Sequence, residues 1–304
     1  MSDSHTRCGV VAVIGAPNAG KSTLVNQLVG QKVAITSAKA QTTRARMLGI
    51  ALHENDDANT QMILVDTPGI FAPKRRLDRA MVSAAWEGAE SADAVLLLVD
   101  PIKQRRHELE PLIEQLAQRP EKKILVLNKV DIAKKEPLLA LAQELSAKVD
   151  FAEIYFISAL TGDGVPEMKD ALAALMPEGP WMYPEDQVSD ASERLLATEI
   201  TREQLYQQLH EELPYDSAVR PEKYIQRKDG SVEIHQQIVV MRDNQRAIVL
   251  GKGGSRIKAI GEAARKELAE LLGQKVHLFL HVKTDERWSE DKEMFEEMGL
   301  EWKS

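Results

Sequence analysis

The apolar positions of residues 9–177 fall into short, nearly continuous runs separated by longer amphipathic stretches. Gly9–Ile14, Met47–Leu52, Gln61–Val65, Ala94–Val99, Lys123–Leu127 and Glu153–Ile157 have the length and the Val, Leu and Ile content of strands. Several are apolar at almost every position, as expected of strands covered on both faces. Lys21–Val29, Leu77–Ala89 and Pro137–Lys148 read as helices between them. The turn-rich stretch Glu54–Thr60 joins two strands directly. It predicts one antiparallel pair in an otherwise parallel, doubly wound α/β sheet.

The pattern changes after residue 176. Residues 177–192 hold three prolines and a glycine with no apolar period, and read as a linker between a first domain, 1–176, and a second, 193–283. The second domain starts with a helix over Glu193–Leu213. Strands Glu222–Arg227 and Val232–Met241 follow, joined by a Lys-Asp-Gly turn of hairpin type. Then come a short helix Gln245–Leu250, a glycine loop Gly251–Gly254, a long helix Ser255–Leu272 and a strand Lys275–Val282. The order α-β-β-α-α-β makes this an α+β domain. Residues 284–304 form an acidic, amphipathic tail.

Charge alters the picture only locally. The 304-residue chain carries a net charge of −8, which taken alone speaks against a nucleic-acid partner. Yet Gln245–Lys283 has eight Lys/Arg against three Glu, and the tail has eight Asp/Glu against three Lys/Arg. The positive field is confined to one strip, as a positioned nucleic-acid site requires. The single cysteine, Cys8, allows no internal disulfide. Met1–Arg7 is polar with no signal-type apolar run behind it, and Ala94–Val99 is far short of the ~20 residues a membrane span needs. A cytoplasmic protein is the expectation.

Chemistry enters where strands end. Gly15, Ala16, Pro17, Asn18, Ala19, Gly20, Lys21 and Ser22 spell G-x-x-x-x-G-K-S after an apolar strand and at the start of a helix, with Thr23 next. Glycines let successive backbone N–H groups form an anion nest, and the helix N-terminus adds partial positive charge. Lys21 is placed to reach the β- and γ-phosphates, and the Ser22 hydroxyl to ligate Mg²⁺. Asp66-Thr67-Pro68-Gly69 closes another strand. Asp66 would hold Mg²⁺ through a water, and the Gly69 N–H can approach the γ-phosphate because no side chain intervenes. Asn128, Lys129 and Asp131 follow the fifth strand. A carboxylate at Asp131 only accepts hydrogen bonds, and guanine offers two adjacent donors that adenine lacks. Ser158, Ala159 and Leu160 follow the sixth strand, where the Ala159 N–H can face guanine O6.

Residues Ile35–Arg44, with Gln41, Thr42, Thr43 and Arg44, form a first switch loop. One of its threonines, Thr42 or Thr43, would bind Mg²⁺ only beside a γ-phosphate. Ile70 stands where Ras-like enzymes place a water-orienting Gln, so intrinsic hydrolysis is expected to be slow.

These motifs, together with Tyr183–Asp186, Glu212–Tyr215 and the Gly251–Gly254 loop running into Ile257–Gly261, resemble the Era family of GTPases over nearly the whole chain. The resemblance implies a P-loop GTPase domain followed by a type II KH domain. It favours Thr43 over Thr42 as the metal ligand. It implies GTP or GDP and Mg²⁺ as ligands, with Asn18 as a candidate K⁺ ligand. It also implies a monomer that binds small-subunit ribosomal RNA near its 3′ end and acts in 30S subunit assembly, with peripheral association at the cytoplasmic face of the inner membrane. In a KH domain the G-x-x-G loop clamps the backbone of about four unpaired nucleotides, which assigns Gly251, Lys252, Gly253, Gly254, Arg256 and Lys258 to RNA. The alternative is a membrane-associated signalling GTPase coupling growth to division. A nucleoside kinase is disfavoured, because the Asn128–Asp131 and Ser158–Leu160 motifs select a base and offer no acceptor site.

Overall fold

The computed structural model describes residues 5–302 apart from 38, 40, 41, 45, 56–57, 74, 91, 104–105, 211–212 and 299. Gln41 and Glu212, named above, lie outside the described residues, as does the tip of the stretch Glu54–Thr60. The chain divides into two compact units, Met1–Asp190 and Ala191–Ser304.

The first unit is a six-stranded sheet flanked by helices. Its strands are β1 (His5–Gly15), β2 (Met47–Glu54), β3 (Ala58–Asp66), β4 (Ala94–Val99), β5 (Lys122–Leu127) and β6 (Glu153–Phe156). The spatial order is β2-β3-β1-β4-β5-β6. Only β2 and β3 pair antiparallel; every other neighbour is parallel. Both faces are covered, and this explains the continuous apolar runs. Leu96 and Leu98 of β4 enter one core with Leu24, Leu28 and Leu172, while Val95, Leu97 and Val99 enter a second with Leu112, Leu116 and Leu138. Helices α1 (Lys21–Val29) and α5 (Val165–Leu175) contribute to the first core. Helices α2 (Arg76–Glu90), α3 (Arg106–Ala117) and α4 (Lys135–Ser146) contribute to the second. The phosphate loop and the motifs at 66–69, 128–131 and 158–160 lie at the carboxyl ends of β1, β3, β5 and β6, where open α/β sheets bind ligands, and the switch loop precedes β2.

Residues 177–190 are not a free tether. The fully buried Gln61 side chain of β3 accepts from the Met182 and Tyr183 amides at 2.9 and 3.0 Å and donates to the Tyr183 carbonyl at 2.9 Å. The Ile50 amide donates to the Val188 carbonyl at 2.8 Å, and Ser189 Oγ to the Leu48 carbonyl at 2.7 Å. The segment thus lies along β3 and the β2 edge of the first unit. Proline content forecasts the lack of helix or strand here, but a buried glutamine supplies the partners that a prolyl backbone cannot find within itself.

The second unit has helices α6 (Glu193–Gln208), α7 (Asp243–Leu250) and α8 (Ser255–Leu272) on a three-stranded sheet, β7 (Ser217–Gln226), β8 (Val232–Val240) and β9 (Val276–Thr284). β7 and β8 are antiparallel, β8 and β9 parallel. Two boundaries of this unit depart by five residues from the sequence expectation. α6 ends at Gln208, because Leu209 is extended; Leu209 and Leu213 still enter the core, so apolar spacing runs past the helix end. β7 begins five residues earlier than expected and carries Pro221 inside it; the register shifts between Pro221 and Lys223, which admits a residue with no N–H on an edge strand.

The acidic tail is folded into this unit. Trp288, Phe295 and Leu300 are buried, and helix α9 (Lys292–Glu297) is held by Arg220, which donates to Asp291 at 2.9 Å and Glu297 at 3.1 Å. Among the described residues no helix is long and apolar enough to cross a membrane.

Replacing Gln61 by Leu removes three part-buried hydrogen bonds, from a fully buried side chain to the main chain of Met182 and Tyr183. Orphaned buried groups cost about 1–3 kcal/mol each. Urea unfolding of the full chain should show the first unit less stable by at least about 2 kcal/mol. An unchanged midpoint would show that the 181–190 segment is held by something else.

Candidate nucleotide site and nucleic-acid loop

The phosphate loop is shaped by close approach. Gly15 (φ 152°), Asn18 (φ 64°) and Gly20 (φ 104°) occupy backbone regions that L side chains rarely adopt. A Cβ at Gly15 would lie 2.3 Å from the Leu98 carbonyl oxygen, and one at Gly20 would lie 2.3 Å from Asn128 Nδ2. Gly69 is equally constrained, since a Cβ there would meet Pro17 N at 2.7 Å. α1 opens at Gly20 with no side-chain cap, which leaves its first amides for an anion. Lys21 is buried, and its Nζ donates to the Gly15 and Ala16 carbonyls at 3.2 and 3.0 Å. Burial pushes its ammonium down to about 8, against the pull of Asp66. A buried cation facing carbonyl dipoles fits a polyphosphate partner. The cleft in front is lined by Pro17, Asn18, Ser22, Thr23, Thr43 and Gly69, among others.

Three side-chain oxygens, from α1, the switch loop and the end of β3, meet beside it. Ser22 Oγ lies 2.8 Å from Thr43 Oγ1 and donates to Asp66 Oδ2 at 2.6 Å; Thr43 Oγ1 is 3.3 Å from the same carboxylate oxygen. This hydroxyl–hydroxyl–carboxylate set has the hard donors that Mg²⁺ takes. The Thr42 hydroxyl instead donates to the Lys39 carbonyl at 2.7 Å. Thr67 Oγ1 donates to the Val13 carbonyl, Pro68 carries the turn onward, and Ile70 is buried in the core with its amide bonded to the Gly15 carbonyl.

On the base side, Asn128 spans two loops. Its Nδ2 donates to the Ala19 carbonyl at 2.8 Å, and its Oδ1 accepts from the Lys129 and Ala159 amides at 2.8 and 2.9 Å. The Ala159 N–H expected at guanine O6 is therefore bonded to Asn128, because the carbonyl of a buried amide needs donors of its own. Ser158 Oγ accepts from the Thr161 amide, Leu160 is 78% exposed, and Asp131 lies exposed at the rim. Lys129, at φ 66°, reaches across to the Asn18 carbonyl at 3.1 Å.

Lys129 also pairs with Asp100, a residue the motif reading missed. Burial alone would raise the Asp100 carboxyl. The Lys129 ammonium and the Ile102 and Lys103 amides outweigh that and hold it below the usual carboxylate range. Its one sequence signal is an acid at the end of the fully apolar β4.

In the second unit, α7 and α8 are joined by Gly251, Lys252, Gly253 and Gly254. The glycines have φ of 71°, 60° and 77°, so each position favours glycine. Lys252 and Lys258 are exposed, and Arg256 is half-buried with a long contact to the Ile248 carbonyl.

A family model described as a 50S ribosome-binding GTPase matches residues 10–129, and a KH domain model matches residues 212–289. The chain is 85% identical to the GTPase Era of Erythrobacter litoralis over 302 residues, covering 99% of both proteins. This chain belongs to the Era family of GTPases. It is a GTP-hydrolysing enzyme with a P-loop α/β domain and a KH domain. Two solved Era structures share its fold at 37% identity. One, in complex with MgGDPNP and nucleotides 1506–1542 of 16S ribosomal RNA, has a TM-score of 0.90 and covers 97% of this chain and 99% of its own. The other, a point variant of Aquifex aeolicus Era bound to GDP·AlF4⁻, has a TM-score of 0.89 and covers 96% and 99%.

In this Era-family site, Asp100→Asn leaves Lys129 without its anion. Charge-assisted bonds of this kind are worth about 1–2 kcal/mol beyond neutral ones, so a fluorescent GDP analogue should bind roughly 5- to 30-fold more weakly. Wild-type affinity in the variant would show that the pair does not position Lys129.

Proposed function

We propose that the chain is a nucleotide-dependent switch that binds small-subunit ribosomal RNA near its 3′ end during 30S subunit assembly. The observation that carries this reading is the presence, in one chain, of the phosphate cradle and a helix–glycine loop–helix unit. The 16S segment held by a solved relative supports it. One family model's description names the 50S subunit, but the RNA in that relative belongs to the small subunit.

The reading gives each residue a role. Amides of residues 15–23 and the Lys21 ammonium hold the phosphates of GTP or GDP. Ser22, Thr43 and Asp66 hold Mg²⁺, which supplies charge neutralisation at the β- and γ-phosphates. Thr43 belongs to the switch loop, so its engagement reports the γ-phosphate, and the Gly69 amide does the same from the second loop. Asp131 accepts from guanine N1 and the 2-amino group, while Lys129 and Leu160 flank the base. Asn128 holds the two loops together around it. Ile70 is buried and can neither orient nor polarise water, so hydrolysis is slow without help. Asn18, exposed at the mouth of the cleft, is where K⁺ would add positive charge. Gly251, Lys252, Gly253, Gly254, Arg256 and Lys258 grip RNA phosphates. A monomeric state and a peripheral position on the inner membrane belong to the same reading as implications of the resemblance.

Filter binding of a 16S 3′-end RNA with MgGDPNP and with GDP tests the switch. We expect binding at least tenfold tighter in one nucleotide state, or about 1.4 kcal/mol. Equal affinity in both states would remove the switch while leaving RNA binding.

A further inference from the structure

The KH unit carries an aromatic platform that the glycine loop does not include. His235 of β8 and Phe279 of β9 are directly paired across the sheet, and their rings stack with centroids 4.7 Å apart and planes 21° from parallel. His235 is itself anchored: its Nε2 is 2.6 Å from Glu233 Oε1, and Glu233 is in turn paired with Arg227. Hydrogen bonds from His235 and Arg227 hold the Glu233 carboxyl below its usual range. Phe279 is nevertheless 48% exposed. A large ring fixed from one side and open to solvent is an unusual use of an apolar side chain in a chain with 5% aromatic residues.

What surrounds the ring points to its occupant. β9 is an edge strand, and between it and α8 runs an open cleft with Phe279 in its lining. Among the described residues the charged lining is Arg265, Lys266 and Lys275, with no carboxylate. The cleft lies farther along α8 than the glycine loop. Gly261, in the second turn of α8, faces Leu280, and Arg265 lies further along the same helix opposite residues 276–279. At 1.5 Å per residue, Arg265 stands about 16 Å beyond Gly254. Leu280 faces α8, so Phe279 beside it points to the other face of β9; a strand gripped at the loop and laid along α8 would reach the three cations and pass over the β9 edge to meet the ring. Cations that track a backbone beside an aromatic ring are the composition of single-strand recognition, because every base has a π-face.

We propose that Phe279, backed by His235 and flanked by Arg265, Lys266 and Lys275, is a stacking subsite for one unpaired nucleobase of RNA that extends beyond the four nucleotides clamped by the glycine loop. The inference rests on the RNA-binding reading above and adds a residue and a place to it. The ring supplies affinity without base choice, and the cations fix the path of the strand.

The test uses the full chain and single-stranded 16S 3′-end RNA carrying 2-aminopurine at one position at a time. One position should be quenched on binding. Phe279→Ala should abolish that quench and weaken binding by about 5- to 150-fold, the range of one base–aromatic stack. Phe279→Trp should retain both. Gly253→Asp, which sets a carboxylate in the loop, should abolish binding and serves as the control. Unchanged affinity and quenching in Phe279→Ala, with binding lost in Gly253→Asp, would overturn the subsite and leave the RNA reading standing. Wild-type protein that fails to bind the RNA would overturn both. RNA binding with no Phe279-dependent quench, beside binding of an aromatic-rich peptide that Phe279→Ala abolishes, would assign the β9 edge to protein and overturn the subsite.

Discussion

The side-chain amide of Asn128 is the joint on which the nucleotide site depends. It donates to the Ala19 carbonyl of the phosphate loop and accepts from the Lys129 and Ala159 amides. One buried side chain therefore registers the phosphate end of the site against the base end. The tie works only because the loops have no Cβ in the way: Gly20 meets Asn128 and Gly15 meets β4 at distances no side chain could share. The loop's amides and the uncapped start of α1 are thereby fixed in place before any ligand arrives, which is how such sites avoid reorganisation cost on binding.

A second layer of order comes from charge. Lys129 is steered by Asp100 and by the Asn18 carbonyl, so its ammonium is anchored between β4 and the phosphate loop. In the KH unit part of the negative charge of the C-terminal segment is taken up by Arg220 on β7, at the opposite edge of the sheet from β9. The exposed cations along α8 and the glycine loop are left to face solvent. Net charge of the whole chain therefore says little about what either surface attracts.

Much of this was legible in the residues. β4 matches its apolar run, Ala94–Val99, because burial on both faces leaves no polar position to blur it. α1 and α8 match because glycines in the left-handed region bound them at both ends. Legibility failed where tertiary partners decide. Leu209 and Leu213 continue the spacing of α6 but bury from extended or irregular backbone. Pro221 hid the start of β7. Gln61 reads as a polar interruption of a strand, yet it is the anchor for residues 182–183. At the site, motif spacing pointed to Lys21, Ser22 and Asp66, which the fold gathers at one cleft. It could not choose between Thr42 and Thr43, whose hydroxyls point to different partners, and it could not see that the Ala159 amide is bonded to Asn128 or that Asp100 holds Lys129.

The most direct test of the joint is calorimetric titration of MgGDP into the full chain and into Asn128→Ala. Removing the amide orphans a buried carbonyl and at least one buried N–H, worth about 1–3 kcal/mol each. Binding should weaken by at least about thirtyfold with the heat of unfolding largely kept. Wild-type affinity in Asn128→Ala would contradict it, because the two loops would then hold their places without the tie.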